Sequence, residues 1–225
     1  MAFTCQNLVD KAEILFDDTG NDDLSADNWF SFLKSAQRQA VIIKPDISVT
    51  TAAVVLVEGT KQSLPTGAIM LIDIIRNMGA AGTTPGTPIF PVDKDIINVV
   101  NPAWHTDTGA ATVKFYVYDK KNPLVFYVSP PQPAAAFGYV EMAYSVTPAD
   151  PAGIGSAITL GDIYETILID LMLYYAYSIN ADQSQFAWER SKVHWNNAVM
   201  ALGRKDLKEE MDSPRAKDEI QNKPV

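Results

Sequence analysis

The period of the apolar positions changes twice along this chain. From Thr4, placed as an N-cap, Leu8, Ala12, Leu15 and Phe16 fall at i, i+4, i+7 and i+8, which predicts a helix to about Phe16. An acidic loop, Asp17 to Asp23, follows. Ser25 reads as a second N-cap, with Leu24 before it and Trp29 spaced to form a hydrophobic staple. Trp29, Leu33, Ala36, Ala40 and Ile43 then form one stripe. Pro45 stops that helix near Lys44, because proline drives the residue before it out of the helical region.

At Ile47 the period drops to 2. Ile47, Val49, Thr51, Ala53, Val55 and Val57 alternate until Glu58-Gly59-Thr60 turns the chain. Ala68 to Arg76 is nearly continuous and apolar, as in a buried strand, although a helix of that length reads similarly. Gly79 to Pro88 is a Gly/Thr/Pro loop, and Asp93 caps a short helix that ends at about Val100, ahead of Pro102. Val113 to Tyr118 and Leu124 to Val128, joined across Asp119 to Pro123, predict a hairpin. A Pro-rich link, Ser129 to Ala136, leads to a strand over Tyr139 to Val146.

Thr147 to Thr159, with two prolines and two glycines, is a junction after which the helical period returns. Thr159 and Asp162 have capping-box spacing, and Ile163, Ile167, Leu171, Tyr174 and Ser178 carry a helix to about Ile179. A last helix is expected from about Asp182 to Leu202, with Trp188, Trp195, Val199 and Leu202 on one side and Gly203 at its C-terminus. Helices at both ends without local partners predict an α+β fold, a helical bundle formed by the N- and C-terminal helices with an inserted antiparallel β domain. The expected division is 1–46 for the first half of the bundle, 47–149 for the β domain, 150–204 for the second half, and 205–225 for an extended C-terminal arm.

Charge and composition narrow the function. The formal charge of −9 is dispersed, with −3 over residues 1–44, −3 over 45–159, −2 over 160–204 and −1 over 205–225, so no segment offers a basic footprint for nucleic acid. One cysteine, Cys5, and two histidines exclude a disulfide framework within the chain and starve a Cys/His zinc site of ligands. No charge-free apolar run approaches the roughly 20 residues needed to span a bilayer. Met1 to Leu15 lacks the basic start and apolar block of a signal peptide, so cytosolic expression is expected.

The candidate chemistry is thin, and neither a catalytic residue, a cofactor nor a metal site is expected. Asp17 to Asp23 places carboxylates as a calcium loop would, but its glycine comes too early and Asn28 stands where the closing glutamate belongs, so a solvated interhelical loop fits better. Gly79 to Gly86 lacks the Lys-Ser or Lys-Thr of a phosphate loop, and Gly153-Ile154-Gly155-Ser156 fails the nucleophile-elbow pattern. His105, close to Asp107, has no second histidine to join it. Glu165 and Asp170, five apart, do not share a helix face. Aromatic density is more informative: Tyr174, Tyr177, Phe186 and Trp188 are more than one helix face can bury alone, and a subunit interface would cover them.

Several phrases in order along the chain carry a resemblance: Leu8-Val9-Asp10-Lys11-Ala12, Trp29 to Gln39 leading to Ile42-Ile43-Lys44-Pro45-Asp46, Gly59-Thr60-Lys61-Gln62, Ile74-Ile75-Arg76-Asn77-Met78, Asn101-Pro102-Ala103-Trp104-His105, Phe126 to Pro131, and Asp162 through Ser178. Over about residues 7 to 203 the chain resembles the head-to-tail adaptors of short-tailed bacteriophages. The resemblance implies a virion protein without enzyme activity, assembled in the cytoplasm of the infected bacterium as a dodecameric ring beneath the portal. It further implies a portal protein and a tail nozzle or tube as partners, and a lumen through which DNA passes without specific binding.

The arm 205–225 lies beyond the matched phrases. Its sparse apolar residues Leu207, Met211, Ile220 and Val225, with Lys205, Pro214 and Arg215 among mixed charges, read as anchors and register marks for docking on the portal. The competing expectation is a small hydrolase or ligand-binding domain with its pocket near Gly79 to Pro88, and a third is a tail-tube or capsid-stabilising protein.

Overall fold

The Thr4 hydroxyl accepts a hydrogen bond from the Asn7 amide while the Asn7 side-chain oxygen accepts one from the Thr4 amide, and this capping box starts helix α1 (Cys5–Phe16). The structure is a computed structural model, described here for residues 4–20, 22–179, 181 and 184–212, with side chains to Gly203. It is mixed α+β, and the chain divides into two compact units, Met1–Lys44 with Pro148–Val225, and Pro45–Thr147.

In the first unit, Ser25 caps α2 (Ala26–Ile43) through the Asn28 amide, and Trp29, Leu33, Ala36 and Ala40 are fully buried. In α1 the packed residues are Cys5, Leu8, Val9 and Ala12, whereas Leu15, expected in that stripe, is 61% exposed. Thr159 does not cap the next helix. Its hydroxyl donates to the Ala149 carbonyl, and a 3-10 turn over Asp162–Tyr164 leads into α4 (Glu165–Ser178) without a side-chain cap. Its buried residues Ile167, Leu168, Ile169, Leu171, Met172, Leu173 and Ala176 cover more than one side, as a helix packed all round requires. It touches α1, α2 and the last helix, α5 (Gln185–Asp212).

Helix α5 runs straight through Gly203, which corrects two expectations: the helix does not end near Leu202, and Lys205 to Asp212 are helical, not extended. A mid-helix glycine costs about 1 kcal/mol relative to alanine, and Arg204 to Met211 is rich in strong helix formers that offset it. The remaining arm residues, among them Pro214, Arg215, Ile220 and Val225, lie outside the described residues. A β-carbon at Gly203 would meet nothing within 4 Å, so Gly203→Ala is expected to stabilise α5 by about 0.5–1 kcal/mol, read as a higher helical melting temperature by circular dichroism.

The second unit holds two sheets. β1 (Val49–Val55), β7 (Tyr139–Val146) and β3 (Ala68–Asn77) form one, in the order β1-β7-β3. β2 (Gly59–Ser63), β6 (Val125–Gln132), β5 (Phe115–Tyr118) and β4 (Phe90–Pro91) form the other, in the order β2-β6-β5-β4. The domain is not wholly antiparallel: β4 pairs parallel with β5, which the long crossover between them permits because it contains α3 (Lys94–Val100). Asp93 caps α3 through the Asp95 amide. Leu71 and Ile74 of β3, Val140 and Met142 of β7, and Phe126 and Val128 of β6 belong to one buried cluster, and Ile97, Trp104 and Val117 form a second.

Three strand expectations change. The alternation in β1 has the opposite sense, since Ala52, Val54 and Leu56 pack on the core while Val49, Val55 and Val57 are exposed. β3 is an edge strand with three register shifts, and Ile72 and Ile75 are each 38% exposed. Ser129 to Gln132 is not a link but the end of β6. Pro130 and Pro131 fit a central strand because they fall where its ladders lapse: pairing to β5 ends at Ser129, and pairing to β2 jumps from Tyr127 to Gln132.

Candidate interaction surfaces

The acidic loop between α1 and α2 is organised around one carboxylate. Asp18, 3% exposed, accepts hydrogen bonds from the Asp23 and Leu24 amides at 3.0 Å each and from the Trp29 indole at 3.4 Å. Burial alone pushes its pKa up, but these donors outweigh it and hold the group below the usual carboxylate range. A carboxylate saturated by N–H donors is unavailable to a cation, and no group among the described residues could hold a metal ion. Glu13, also buried, is shifted the other way, by desolvation and by the neighbouring Asp10 and Asp18 charges.

Of the residues weighed for catalysis, none gathers a reacting set. His105 is exposed, its Nδ1 lies 2.8 Å from the Thr60 hydroxyl, and its ring stacks on Trp104. Asp107 accepts from the Asn101 side chain instead of orienting His105. The 79–88 loop folds on Asn77, whose carbonyl accepts from the Gly86 amide and whose amide donates to the Thr87 carbonyl, so two of its backbone groups are already used. Cys5 is fully buried and burial raises its thiol pKa, which makes it inert.

Glu165 and Asp170 do line one groove, together with Lys11, Leu15, Arg190 and His194. They are held by separate partners, Glu165 by Lys11 of α1 and Asp170 by His194 Nδ1 of α5 at 2.8 Å. The spacing rule excluded a shared face on one helix; it did not foresee walls supplied by α1 and α5. These pairs tie α1 and α5 to α4.

The aromatics divide by surroundings. Tyr177 is half-buried, its ring 4.8 Å from Phe16 and stacked 5.7 Å from His194. Tyr174 lies against Tyr175 and Trp195. Phe186 and Trp188 are 61% and 48% exposed, with the Arg190 guanidinium over the first ring and the Lys192 ammonium over the second. Tyr174, Trp188 and Trp195 line a groove of about 440 Å³ together with Ser191, Lys192 and Asn196. Sequence reasoning missed the exposed aliphatic positions that accompany them, Ile14 on α1 and Val193 and Met200 on α5. The signal was present in the seven-residue interval from Phe186 to Val193 to Met200.

A chain whose exposed features are apolar and aromatic helix faces, without a reacting cluster among its described residues, is suited to assembly with other proteins. The model of the SU10 adaptor protein family matches residues 3–218. The chain belongs to that family. SU10 adaptor proteins are phage head-to-tail adaptors, structural components of the virion. The match extends past the resemblance, which ran to about residue 203, and takes in the first part of the 205–225 arm. No curated protein matches the chain. Among its described residues, this SU10 adaptor has no helix long and apolar enough to cross a membrane.

Proposed function

We propose that the chain is the head-to-tail adaptor subunit of a ring of twelve copies beneath the portal, joining it to the tail nozzle or tube and forming part of the DNA channel. The observation that carries this reading is the family match over residues 3–218, nearly the whole chain. The physical features agree with it. A closed ring requires each copy to bury lateral faces against two neighbours, and exposed apolar residues stand on α1 and on α5. The dispersed net charge of −9 suits a predominantly negative lumen that repels phosphate and lets DNA slide.

The helices at the two ends of the chain act in this reading as a bundle that forms the body of the ring, and residues 205–225 act as the portal-binding arm. Tyr174, Phe186 and Trp188 contribute to the subunit interface. Mass photometry of the protein alone and mixed with its cognate portal tests the reading. The expected result is a ring, or a monomer that becomes a ring on the portal. A species that stays small and ignores the portal overturns it. The two grooves described give the hydrolase alternative no support, since neither takes a lining residue from 79–88.

A further inference from the structure

β1, β3, β2 and β4 edge the two sheets, and all but β1 are blunted. β3 is bulged at three places and charged at Asp73 and Arg76. Its outer side is already in use: the Leu71 amide donates to the Tyr118 hydroxyl, the Ile75 carbonyl accepts from the Ile89 amide, and the Asn77 amide donates to the Thr87 carbonyl. β2 carries Lys61 beside a register shift, and β4 is two residues long and ends in Pro91. Charges, bulges, proline and short length are what keep sheet edges from pairing with other chains. β1 has none of them. It is seven residues long, uncharged and free of proline, and it pairs with β7 in one unbroken register.

The pairing fixes which groups of β1 are free. The Val146 amide donates to the Ser48 carbonyl, and the Leu56 amide donates to the Gly138 carbonyl. Antiparallel ladders alternate, so the even positions bond to β7 while Val49, Thr51, Ala53 and Val55 turn their amides and carbonyls toward the open edge. All four residues are exposed. Val57, next in that series, is the contrast: its amide donates to the Gln62 side-chain oxygen at 2.8 Å, and its carbonyl accepts from the Gln62 side-chain nitrogen at 2.7 Å. The edge is capped there and open before it.

The positions of these free groups say what fits them, because Val49, Thr51, Ala53 and Val55 are symmetric about Ala52. A second β1 laid antiparallel, with Ala52 on the two-fold axis, sets Val49 opposite Val55 and Thr51 opposite Ala53. Every outward amide then meets an outward carbonyl. The strand has no charge, so pairing with itself opposes no like charges, and the exposed faces gain contacts between β-branched residues.

We propose that two copies of the free chain pair through β1, antiparallel about Ala52, which joins their sheets of three strands each into one of six. The contact is self-complementary and stops at a pair. It is therefore not a lateral contact of the ring and stands apart from that reading. Seven residues a side is well below the roughly 20–30 of a stable interface, so the pair forms at micromolar concentrations and above. It parts on dilution, which leaves subunits available for assembly.

Sedimentation of the full chain over micromolar concentrations tests this, with an average mass expected to rise from one chain toward two. Thr51→Lys with Ala53→Lys sets lysine opposite lysine twice and should weaken the pair at least about tenfold, leaving the melting temperature of the dilute chain unchanged. Thr51→Lys with Ala53→Glu charges the same two positions but opposes each lysine with a glutamate, and pairing should return. Only the register about Ala52 gives that rescue.

On oxidation, a mixture of Thr51→Cys and Ala53→Cys chains should form far more disulfide dimer than either alone, since the native Cys5 is buried. A chain that stays monomeric, a double-lysine variant that pairs as tightly as the wild type, or a mixture without the crosslink overturns the proposal and leaves the ring reading intact. A dimer that forms no ring on the portal supports the proposal and overturns the ring reading.

Discussion

Replacing Asp18 by asparagine is expected to destabilise the helical unit by about 2–3 kcal/mol at neutral pH. Asn is nearly the same shape, so the cavity contribution is small and the loss is electrostatic. The side chain of Asp18 offers two acceptor oxygens to the Asp23 and Leu24 amides and the Trp29 indole. An amide offers one oxygen and turns an N–H group toward the remaining donors, leaving buried polar groups unpaired. For a chain of this size the shift in melting temperature should be roughly 5–10 °C, measured by circular dichroism or calorimetry.

The pH dependence gives the same experiment a second readout. The folded pKa of Asp18 is depressed, so its contribution is full above the ordinary carboxylate value of 3.8 and disappears as pH falls through the lower folded value. Glu13 has the opposite sign. Its folded pKa is raised, so the native state takes up its proton first, and lowering the pH from neutrality toward 4.5 relieves a strain present when it is charged. Stability should therefore rise slightly toward pH 5 and fall below about pH 4. Glu13→Gln should remove the rise, and Asp18→Asn should flatten the fall. Millimolar calcium should leave the melting temperature unchanged, because the central carboxylate of the loop is occupied by N–H donors.

Truncation after Gly203 carries the second large expected effect. The cut removes Lys205, Leu207, Met211, Pro214, Arg215, Ile220 and Val225 but keeps Ala198 and Leu202, the last buried residues of α5 among those described. The subunit should fold with an unchanged melting temperature. Portal association should fall by at least about 100-fold, since one arm per subunit multiplied around a ring acts through multivalency and its loss is multiplied in the same way. Co-sedimentation of the truncated chain with purified portal measures this, and undiminished binding would end the role assigned to the arm. The helical start of that arm, Lys205 to Asp212, changes the mechanism expected: part of its ordering is present before binding, so less entropy is lost on the partner than for a fully extended segment.

Local signals were legible where their cause is local. Thr4, Ser25 and Asp93 start helices because a short polar side chain next to free amides caps whatever the rest of the fold does. Trp29, Leu33, Ala36 and Ala40 are buried as their interval indicates. Signals that depend on a partner were not legible. The alternation of β1 has two apolar faces, Val49, Val55 and Val57 on one and Val54 and Leu56 on the other, and only β7 and the core behind it select the second.

Thr159 has capping-box spacing but spends its hydroxyl on Ala149, ten residues back. Pro130 and Pro131 read as a link because the register break that admits them lies on β2 and β5.

The sequence by itself determined the alternation of helical and β regions, the α+β class and, through ordered phrases, the resemblance to phage adaptors. These follow from period, capping and local order, which are properties of neighbours along the chain. Only the tertiary structure decided which apolar residues are used up within one copy. Tyr177 is packed on Phe16 and His194, while Ile14, Phe186, Val193 and Met200 stay uncovered. Burial is a property of neighbours in space, and one string of residues does not say which apolar side chains the fold will leave exposed.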